Sequence, residues 1–185
     1  FESLWLLKHE SFKFLSCSQG NPLVSASVEW NGITFLVSSI YADNSYLRRM
    51  ELWSDIESIS SQIPNNWTII GDFNTVLRPD EKTGSNFNRV AAKDFSQCID
   101  TFNLIEVSTV GSDFTWGRYT LNGRQASKLD RFLVQIDDTN HLITASGLLL
   151  PKIHSNHNPL VVDFSIDVLH MAPIPFKFNN AWLVI

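Results

Sequence analysis

Alternating apolar and polar positions in "LVSASVEWNGITFLVSSIYA" indicate a β-hairpin. Asn31-Gly32 suits its turn, because both central positions of a type I′ turn need positive φ. The register that follows from this turn pairs Trp30 with Ile33, Val28 with Phe35, and Ala26 with Val37. These six residues share one face and the serines fall mostly on the other, so we predict a half-buried hairpin. The same parity carries Tyr41 to the end of the second strand.

Two later segments repeat apolar residues every three or four positions, as the buried stripe of an amphipathic helix does. In the first segment, which ends before Pro64, the stripe is Leu47, Met50, Trp53, Ile56, Ile59 and Ile63. In the second, residues 88–103, it is Ala91, Phe95, Cys98 and Phe102. We therefore predict two helices that bury these stripes in the core.

Between these helices, "NNWTIIGDFNTV" predicts a buried strand that ends at Gly71, with Asp72 and Asn74 directly after it. A second hairpin in "FTWGRYTLNGRQASKLDRFLV" turns at Asn122-Gly123, which would place Thr115 opposite Asp130 unless a bulge shifts the pairing. Short strands interleaved with two helices indicate an α+β domain.

The chain has 185 residues, enough for one domain with its own core. We predict a single domain over 1–167 and a tail over 168–185 that leaves it, where prolines are spaced among aromatic residues. Because the sequence starts at Phe1 rather than Met, we expect a piece of a longer protein whose domain is incomplete at the N-terminus. No apolar run approaches the length of a membrane span, so we expect no membrane partner. Two cysteines, Cys17 and Cys98, are too few for a disulfide framework and indicate a reduced, intracellular setting.

The formal net charge of −5 argues against binding of nucleic acid by general phosphate attraction. Contact with a polyanion would need a local basic patch or a bound cation. One such patch is formed by Arg118, Arg124, Lys128 and Arg131. By charge alone it is a solvated hairpin face or a binding surface.

Five polar residues lie at predicted strand ends or turns: Tyr41, Asp72, Asn74, Asp130 and His157. Each has a structural alternative, such as a turn closed by an Asp side chain or a hydrogen bond between Asp130 and Thr115. A Ser-His-Asp triad of Ser155, His157 and Asp130 is also conceivable. A zinc site at His154 and His157 lacks further ligands at suitable spacing.

The order of these motifs changes their interpretation. "WTIIGDFNTVLRPDEKTG", "DFTWGR", "SKLDRFLV", "SNHNPL" and "PFKFNNAWL" follow one another along the chain. Together they resemble the endonuclease/exonuclease/phosphatase superfamily, and more narrowly the endonuclease domain of plant LINE-type non-LTR retrotransposons. The resemblance implies a deoxyribonuclease-like αββα fold, a two-sheet β-sandwich flanked by helices, here without its opening strands. It also implies DNA nicking with Mg²⁺ for target-primed reverse transcription, a reverse transcriptase domain in the parent polyprotein, a monomeric domain and a nuclear location.

The resemblance also assigns roles to the five residues. Asp72 matches the carboxylate that aligns or deprotonates the attacking water, Asn74 the amide that holds the phosphate, and Tyr41 the phenol beside it. Asp130 matches the carboxylate that orients the catalytic histidine, His157. The remaining residues implied are Thr115 and Asn156 in the catalytic set, and Arg118, Arg124, Lys128 and Arg131 as DNA contacts.

Three positions depart from the family pattern. The family has S-D-H-x-P at the final turn, whereas this chain has Asn156, which carries no charge and takes up no proton. Neither early glutamate, Glu2 or Glu10, has the Q-E-T-K context of the family's metal ligand, which leaves Asp72 as a possible ligand. Asp43 stands where the family tends to have Pro. We therefore expect a weak or inactive nuclease, with a silent DNA-binding remnant, a non-functional fragment and a small-molecule phosphatase as alternatives.

Overall fold

The computed structural model describes residues 7, 9–19, 22–60, 66–121, 123–135 and 141–168. Its elements up to the second helix are β1 Lys13–Gln19, β2 Leu23–Trp30, β3 Ile33–Tyr41, α1 Tyr46–Ser60, β4 Trp67–Asp72, a 3-10 helix Pro79–Glu81, and α2 Arg89–Thr101. Seven further strands follow: β5 Leu104–Glu106, β6 Thr109–Val110, β7 Trp116–Thr120, β8 Gly123–Ser127, β9 Asp130–Gln135, β10 His141–Leu149 and β11 Leu160–Val168.

The strands form three sheets. The largest has six strands in the order β1-β2-β3-β4-β9-β5, in which β3 and β4 are parallel and the other pairs antiparallel. The second sheet has the order β11-β10-β6, and β7 and β8 form a separate hairpin. The helix α1 connects the parallel strands β3 and β4, as parallel pairing requires a long crossover.

Two apolar clusters define the layers. The helices pack on one face of the large sheet, where Trp53 and Phe95 of the helices join Trp67 and Ile69 of β4 in one buried cluster. The opposite face of β4 and β9 contributes a cluster that continues into the second sheet: Ile70, Phe132 and Val134 on one side, Ala145, Leu160 and Val162 on the other. The described residues therefore stack as helices, sheet, sheet, and the predicted α+β sandwich is confirmed.

The first hairpin has the predicted register. Residue 30 lies opposite 33, residue 28 opposite 35 and residue 26 opposite 37. Asn31 and Gly32 have φ values of 51° and 77°, as a type I′ turn requires. The helix α2 also buries its predicted stripe. Short-range pattern was sufficient in both elements.

The stripe predicted for α1 is wrong in its first turns. Leu47 and Met50 are 71% and 39% exposed, whereas Leu52 is 1% exposed. The buried side of the helix runs through Arg49, Leu52, Trp53 and Ile56, which keep helical spacing but begin with an arginine. Hydrophobicity alone therefore misplaced Leu47 and Met50, whereas Trp53 and Ile56 are buried as predicted. The structure does not describe the burial of Ile59. Ile63 and Pro64 lie outside the described residues.

The register predicted for the second hairpin is also wrong, by two residues. Trp116 lies opposite Ser127, and the ladder closes with Thr120 opposite Gly123; Asn122 of the predicted turn lies outside the described residues. The ladder ends at Ser127 because the chain then moves to the large sheet, where Asp130 begins β9 beside β4. Lys128 and Leu129 connect the two sheets.

Both cysteines are free, Cys17 exposed and Cys98 buried. Among the described residues, no helix combines the length and apolar character needed to cross a membrane. The tail predicted for 168–185 lies, apart from Val168, outside the described residues, and the domain limits stay a prediction.

Candidate active site

Tyr41, Asp72 and Asp130 form a row across three strands at one end of the large sheet. The register places Tyr41 of β3 beside Asp72 of β4, and Asp72 beside Asp130 of β9. Neighbouring strands lie about 4.8 Å apart, and residues paired across them project to the same face. Three residues that are far apart in the sequence are therefore neighbours through β-pairing alone.

The position of Asp72 depends on the glycine before it. Gly71 has φ of 144°, and a Cβ there would lie 1.9 Å from the carbonyl oxygen of Ile40 on β3. Asp72 itself is buried, and its Oδ1 accepts a hydrogen bond from the backbone N–H of Asn74 at 2.8 Å. The turn closed by an Asp side chain, an alternative raised by the sequence, is thus present, and it holds one oxygen so that Oδ2 faces His157.

Asn74 connects the ends of β3 and β4. It has φ of 48°, and its side-chain Nδ2 donates to the carbonyl oxygen of Ala42 at 2.8 Å. The backbone N–H of Ala42 in turn donates to the carbonyl oxygen of Asp72 at 2.7 Å. A side-chain amide has two N–H donors, so one remains after the bond to Ala42.

His157 reaches this row from the loop between β10 and β11. Its Nδ1 lies 2.9 Å from Oδ2 and 3.2 Å from Oδ1 of Asp130. A carboxylate accepts, so Nδ1 carries the proton of this bond and Nε2 is directed elsewhere. Nε2 lies 3.9 Å from Oδ2 of Asp72, which is too long for a hydrogen bond. The two atoms nevertheless face each other across a short gap.

The hairpin β7–β8 holds both members of the Asp130–His157 pair. Thr115 is 1% exposed, and its Oγ1 accepts the backbone N–H groups of Leu129 and Asp130, each at 2.9 Å. The carbonyl oxygen of Thr115 accepts the N–H of Asn158 at 2.7 Å. Through these bonds Thr115 holds the backbone next to both Asp130 and His157.

The remaining polar residues of the final turn have structural contacts. Ser155 Oγ accepts the backbone N–H of His157 at 3.0 Å, as a serine that forms a turn does. Asn156 is exposed, and its carbonyl oxygen accepts the N–H of Gly117 at 2.9 Å. His154 is exposed with φ of 54°.

Asp72, Asp130 and His157 could together hold a metal ion. Each offers one ligand atom, and these atoms lie within 4.8 Å of one another. Two carboxylate oxygens suit a hard divalent cation, which often keeps several waters and needs only one or two protein carboxylates. The donor set fits such a cation, although Asp130 also accepts from His157.

The predicted DNA contacts divide into exposed and buried residues. Arg118 and Arg124 are exposed on the hairpin, with the guanidinium of Arg118 5.6 Å from the Trp116 ring centre. Lys128 Nζ is paired with Glu106 Oε1 at 2.7 Å. Arg131 is 1% exposed and paired with two glutamates, so its prediction as a DNA contact is wrong.

Sequence patterns did not identify two residues near the site. Arg49 is buried, and its Nη1 donates to the carbonyl oxygens of Asp43 and Asn44 at 2.9 and 2.8 Å, which holds the loop after β3. Burial lowers the pKa of Arg49, opposed by the nearby charges of Asp43 and Asp72. Glu81 is buried within "RPDEKTG" after β4, and its position in that motif was the one available signal.

Comparisons with known proteins give the fold. No family model matches the chain. No curated protein matches it either. Solved structures that it resembles include the endonuclease domain of TRAS1, a telomere-specific non-LTR retrotransposon (TM-score 0.62, 15% identity, 80% of this chain and 65% of that one).

A second is an endonuclease/exonuclease/phosphatase family protein from Bacteroides thetaiotaomicron (TM-score 0.60, 12% identity, 85% of this chain and 66% of that one). A third is TDP2 from D. rerio complexed with single-strand DNA product (TM-score 0.58, 13% identity, 84% of this chain and 69% of that one). The chain thus has the endonuclease/exonuclease/phosphatase fold, as the sequence motifs implied. It spans just under two thirds of the TRAS1 domain.

Proposed function

We propose that the chain is a divalent-metal-dependent phosphodiesterase domain that nicks DNA. One observation carries the proposal: His157 is hydrogen-bonded to Asp130 and faces Asp72, at the sheet end where Tyr41 and Asn74 also lie. A retrotransposon endonuclease and a protein bound to a single-strand DNA product share the fold, which supports DNA as the substrate.

The proposed chemistry is in-line attack of water on a phosphodiester: the new P–O bond forms as the P–O bond opposite it breaks, and the leaving oxygen takes up a proton from solvent. Asp72 orients the water and accepts its proton through Oδ2, the oxygen that faces His157. The second N–H of Asn74 and the hydroxyl of Tyr41 donate to phosphate oxygens as their negative charge increases. Donors fixed in advance around developing charge are a large source of transition-state stabilisation.

His157 is the second group proposed to act at the phosphorus. The carboxylate of Asp130 fixes the ring orientation and stabilises the protonated imidazole, so that Nε2 presents an N–H or a lone pair to the phosphate. Mg²⁺ is the proposed cation: Asp72 would hold it with Asp130 beside it, and when bound it would stabilise charge on the phosphate oxygens.

Asn156 is the proposed cause of reduced activity. It is exposed, and it directly precedes His157. An amide there supplies neither negative charge nor proton uptake, and groups that act in acid–base catalysis commonly contribute about 10²- to 10⁴-fold in rate. The motifs support a plant LINE-type origin, and the likeness to TRAS1 supports an origin in a non-LTR retrotransposon. The proposed role is nuclear DNA nicking for a reverse transcriptase of the same polyprotein.

Relaxation of supercoiled plasmid tests this function. We expect slow nicking with Mg²⁺ that EDTA abolishes, and a further loss of about 10²- to 10⁴-fold in Asp72→Asn or His157→Ala. Asp72→Asn keeps the oxygen that closes the turn, so it removes charge without removing the turn. Matched controls are Asp100→Asn and His9→Ala, both exposed. Nicking that persists in Asp72→Asn and His157→Ala would contradict the proposal.

A second candidate function is DNA binding without cleavage. Its support is the hairpin β7–β8, on which Arg118 and Arg124 are exposed together with Tyr119 and Leu121, which are 83% and 106% exposed. This function predicts binding with a shallow salt dependence, because few phosphates are contacted. Salt-dependent binding without detectable nicking would favour it. Absence of both would favour a non-functional fragment, and release of phosphate from small phosphomonoesters would favour a phosphatase.

A further inference from the structure

We infer that a buried ion network behind the candidate site positions Asp130, and through it His157. The network consists of Glu81, Glu106, Lys128 and Arg131, and none of these residues needs to touch the substrate. Its effect on catalysis rests on the proposed function, whereas its effect on the geometry of His157 does not.

Arg131 is the centre of the network. Its side chain is fully buried; Nη1 pairs with Glu106 Oε2 at 2.6 Å and Nη2 pairs with Glu81 Oε2. Its guanidinium carbon lies 5.7 Å from the centre of the Phe95 ring, and Nε has no hydrogen-bond partner. Lys128 pairs with the second oxygen of Glu106 at 2.7 Å. Two carboxylates therefore meet two cations, fully buried at Arg131 and Glu81 and partly exposed at Lys128 and Glu106.

The network fixes the segment that enters β9. The carbonyl oxygen of Glu81 accepts the N–H of Lys128 at 2.8 Å, while Thr115 Oγ1 accepts the next two N–H groups, of Leu129 and Asp130. Three successive backbone donors are thus held from two directions, one by Glu81 at the end of the 3-10 helix and two by Thr115, which directly precedes β7. The guanidinium of the next residue, Arg131, pairs with the carboxylate of the same Glu81.

The network also supports the Asp72 side of the site. The carboxylate of Glu81 accepts the backbone N–H of Leu77 at 2.7 Å, which ties down the loop that follows "GDFN". In the sheet register Arg131 lies opposite Gly71, the residue before Asp72. Because side chains alternate along a strand, Arg131 lies behind the sheet and Asp130 lies in front of it. The network and the reacting groups therefore occupy opposite faces of the strand pair β4–β9.

Energetics favour a positioning role over a general stabilising one. Taking a carboxylate and a guanidinium out of water costs more than packing two apolar side chains of similar volume, so buried ion pairs add little net stability. What they add is a fixed geometry, because the planar guanidinium group of an arginine can pair with two carboxylates only in a narrow range of positions. Directional bonds at this place restrict the position of Asp130, and a displacement of about 1 Å at a reacting group can cost about 10²-fold in rate.

The test compares three variants with the native chain. Glu81→Gln keeps shape but removes charge; Glu81→Met/Arg131→Met replaces the pair with apolar side chains, so that no buried charge is left alone. Arg78→Met is the matched control, since Arg78 pairs with the same Glu81 at 3.3 Å but is exposed. The first readout is the tautomer of neutral His157, from the ¹⁵N shifts of its two ring nitrogens. The second is kcat and KM for nicking.

We expect the native chain and Arg78→Met to keep the proton of His157 on Nδ1, opposite Asp130. Glu81→Gln and the double variant should mix the two tautomers and lower kcat by about 10- to 100-fold with KM unchanged, as loss of a supporting contact does in other sites. If either folded variant keeps both the Nδ1–H tautomer and native kcat, the network is structural only and the inference is wrong. If the native chain does not nick DNA, the proposed function fails, and the tautomer measurement still decides the positioning role.

Discussion

The basic residues between 118 and 131 form two pairs with opposite environments. Arg118 and Arg124, the outer pair, are exposed on the hairpin β7–β8. Lys128, just before β9, and Arg131, within β9, form the inner pair, and both pair with glutamates of other elements. The four residues carry the same charge in one short stretch of sequence. The difference teaches that a cluster of charges in sequence is a single surface only when the chain stays in one sheet, and here it crosses from one sheet to another after Ser127.

The two environments have different energetic consequences. The outer cations remain hydrated and can replace counterions on a polyanion, which favours binding. Of the inner cations, Arg131 is fully buried and Lys128 is partly buried, and both pair with glutamates, Arg131 with Glu81 and Glu106 and Lys128 with Glu106. Substitution should therefore change affinity in the outer pair and stability or geometry in the inner pair.

The largest effect is expected for Arg131→Met. Removing this cation leaves Glu81 buried without its principal partner, so the free energy of unfolding should fall by about 3–5 kcal/mol. Arg118→Met, the matched change in the outer pair, should alter it by less than about 0.5 kcal/mol. Urea unfolding followed by circular dichroism measures both. Equal losses in the two variants would end the distinction between the pairs.

The second effect is on DNA affinity. Arg118→Ala and Arg124→Ala should each reduce the slope of log K against log salt by about 1, because each removes one phosphate contact. Lys128→Met should leave the slope unchanged. Fluorescence anisotropy with a labelled duplex over a range of salt concentrations measures it. A slope that falls in Lys128→Met would assign the inner pair to the DNA-binding surface after all.

The third effect concerns pH. Burial opposes ionisation of Glu81, but hydrogen bonds and the charge of Arg131 outweigh it, so the pKa of Glu81 lies below its ordinary value. A lowered pKa stabilises the folded state above the unfolded pKa, about 4.3, and that stability is lost as the pH falls through the folded pKa. Glu81→Gln should therefore weaken the acid dependence of unfolding below about pH 4.

Thermal unfolding at a series of pH values makes this comparison. Glu51→Gln is its control, because Glu51 is exposed on α1 and should keep the native acid dependence. An acid dependence that is equally steep in Glu81→Gln would show that Glu81 is not ionised within a stabilising pair.

The smaller of the two stability effects in the inner pair is expected for Lys128→Met. Lys128 and Glu106 are about one-fifth exposed, so water screens their attraction, and the loss should stay below about 1 kcal/mol. The same unfolding experiment measures it. A loss as large as that of Arg131→Met would mean that the network acts as one unit.

Much of the fold could be predicted because its signals are local. Asn31-Gly32 set the first hairpin register, and α2 shows its stripe at regular spacing. The side of α1 that packs on the sheet could not be predicted, because its first buried residue is Arg49, whose partners are backbone carbonyl groups of a loop. The second hairpin register was missed because the ladder closes with Thr120 opposite Gly123, one residue earlier than an Asn122-Gly123 turn requires.

The sequence by itself determined which side chains are available for the site: Tyr41, Asp72, Asn74, Asp130 and His157 follow motifs whose residue types and order suit phosphodiester chemistry. Tertiary structure alone decided which charges face solvent and which are buried. Glu81 and Arg131 lie 50 positions apart, and their pairing results from the order of strands in the sheet. A side chain carries its charge wherever it is placed, but the dielectric environment and the partner that give the charge its effect exist only after distant segments have packed.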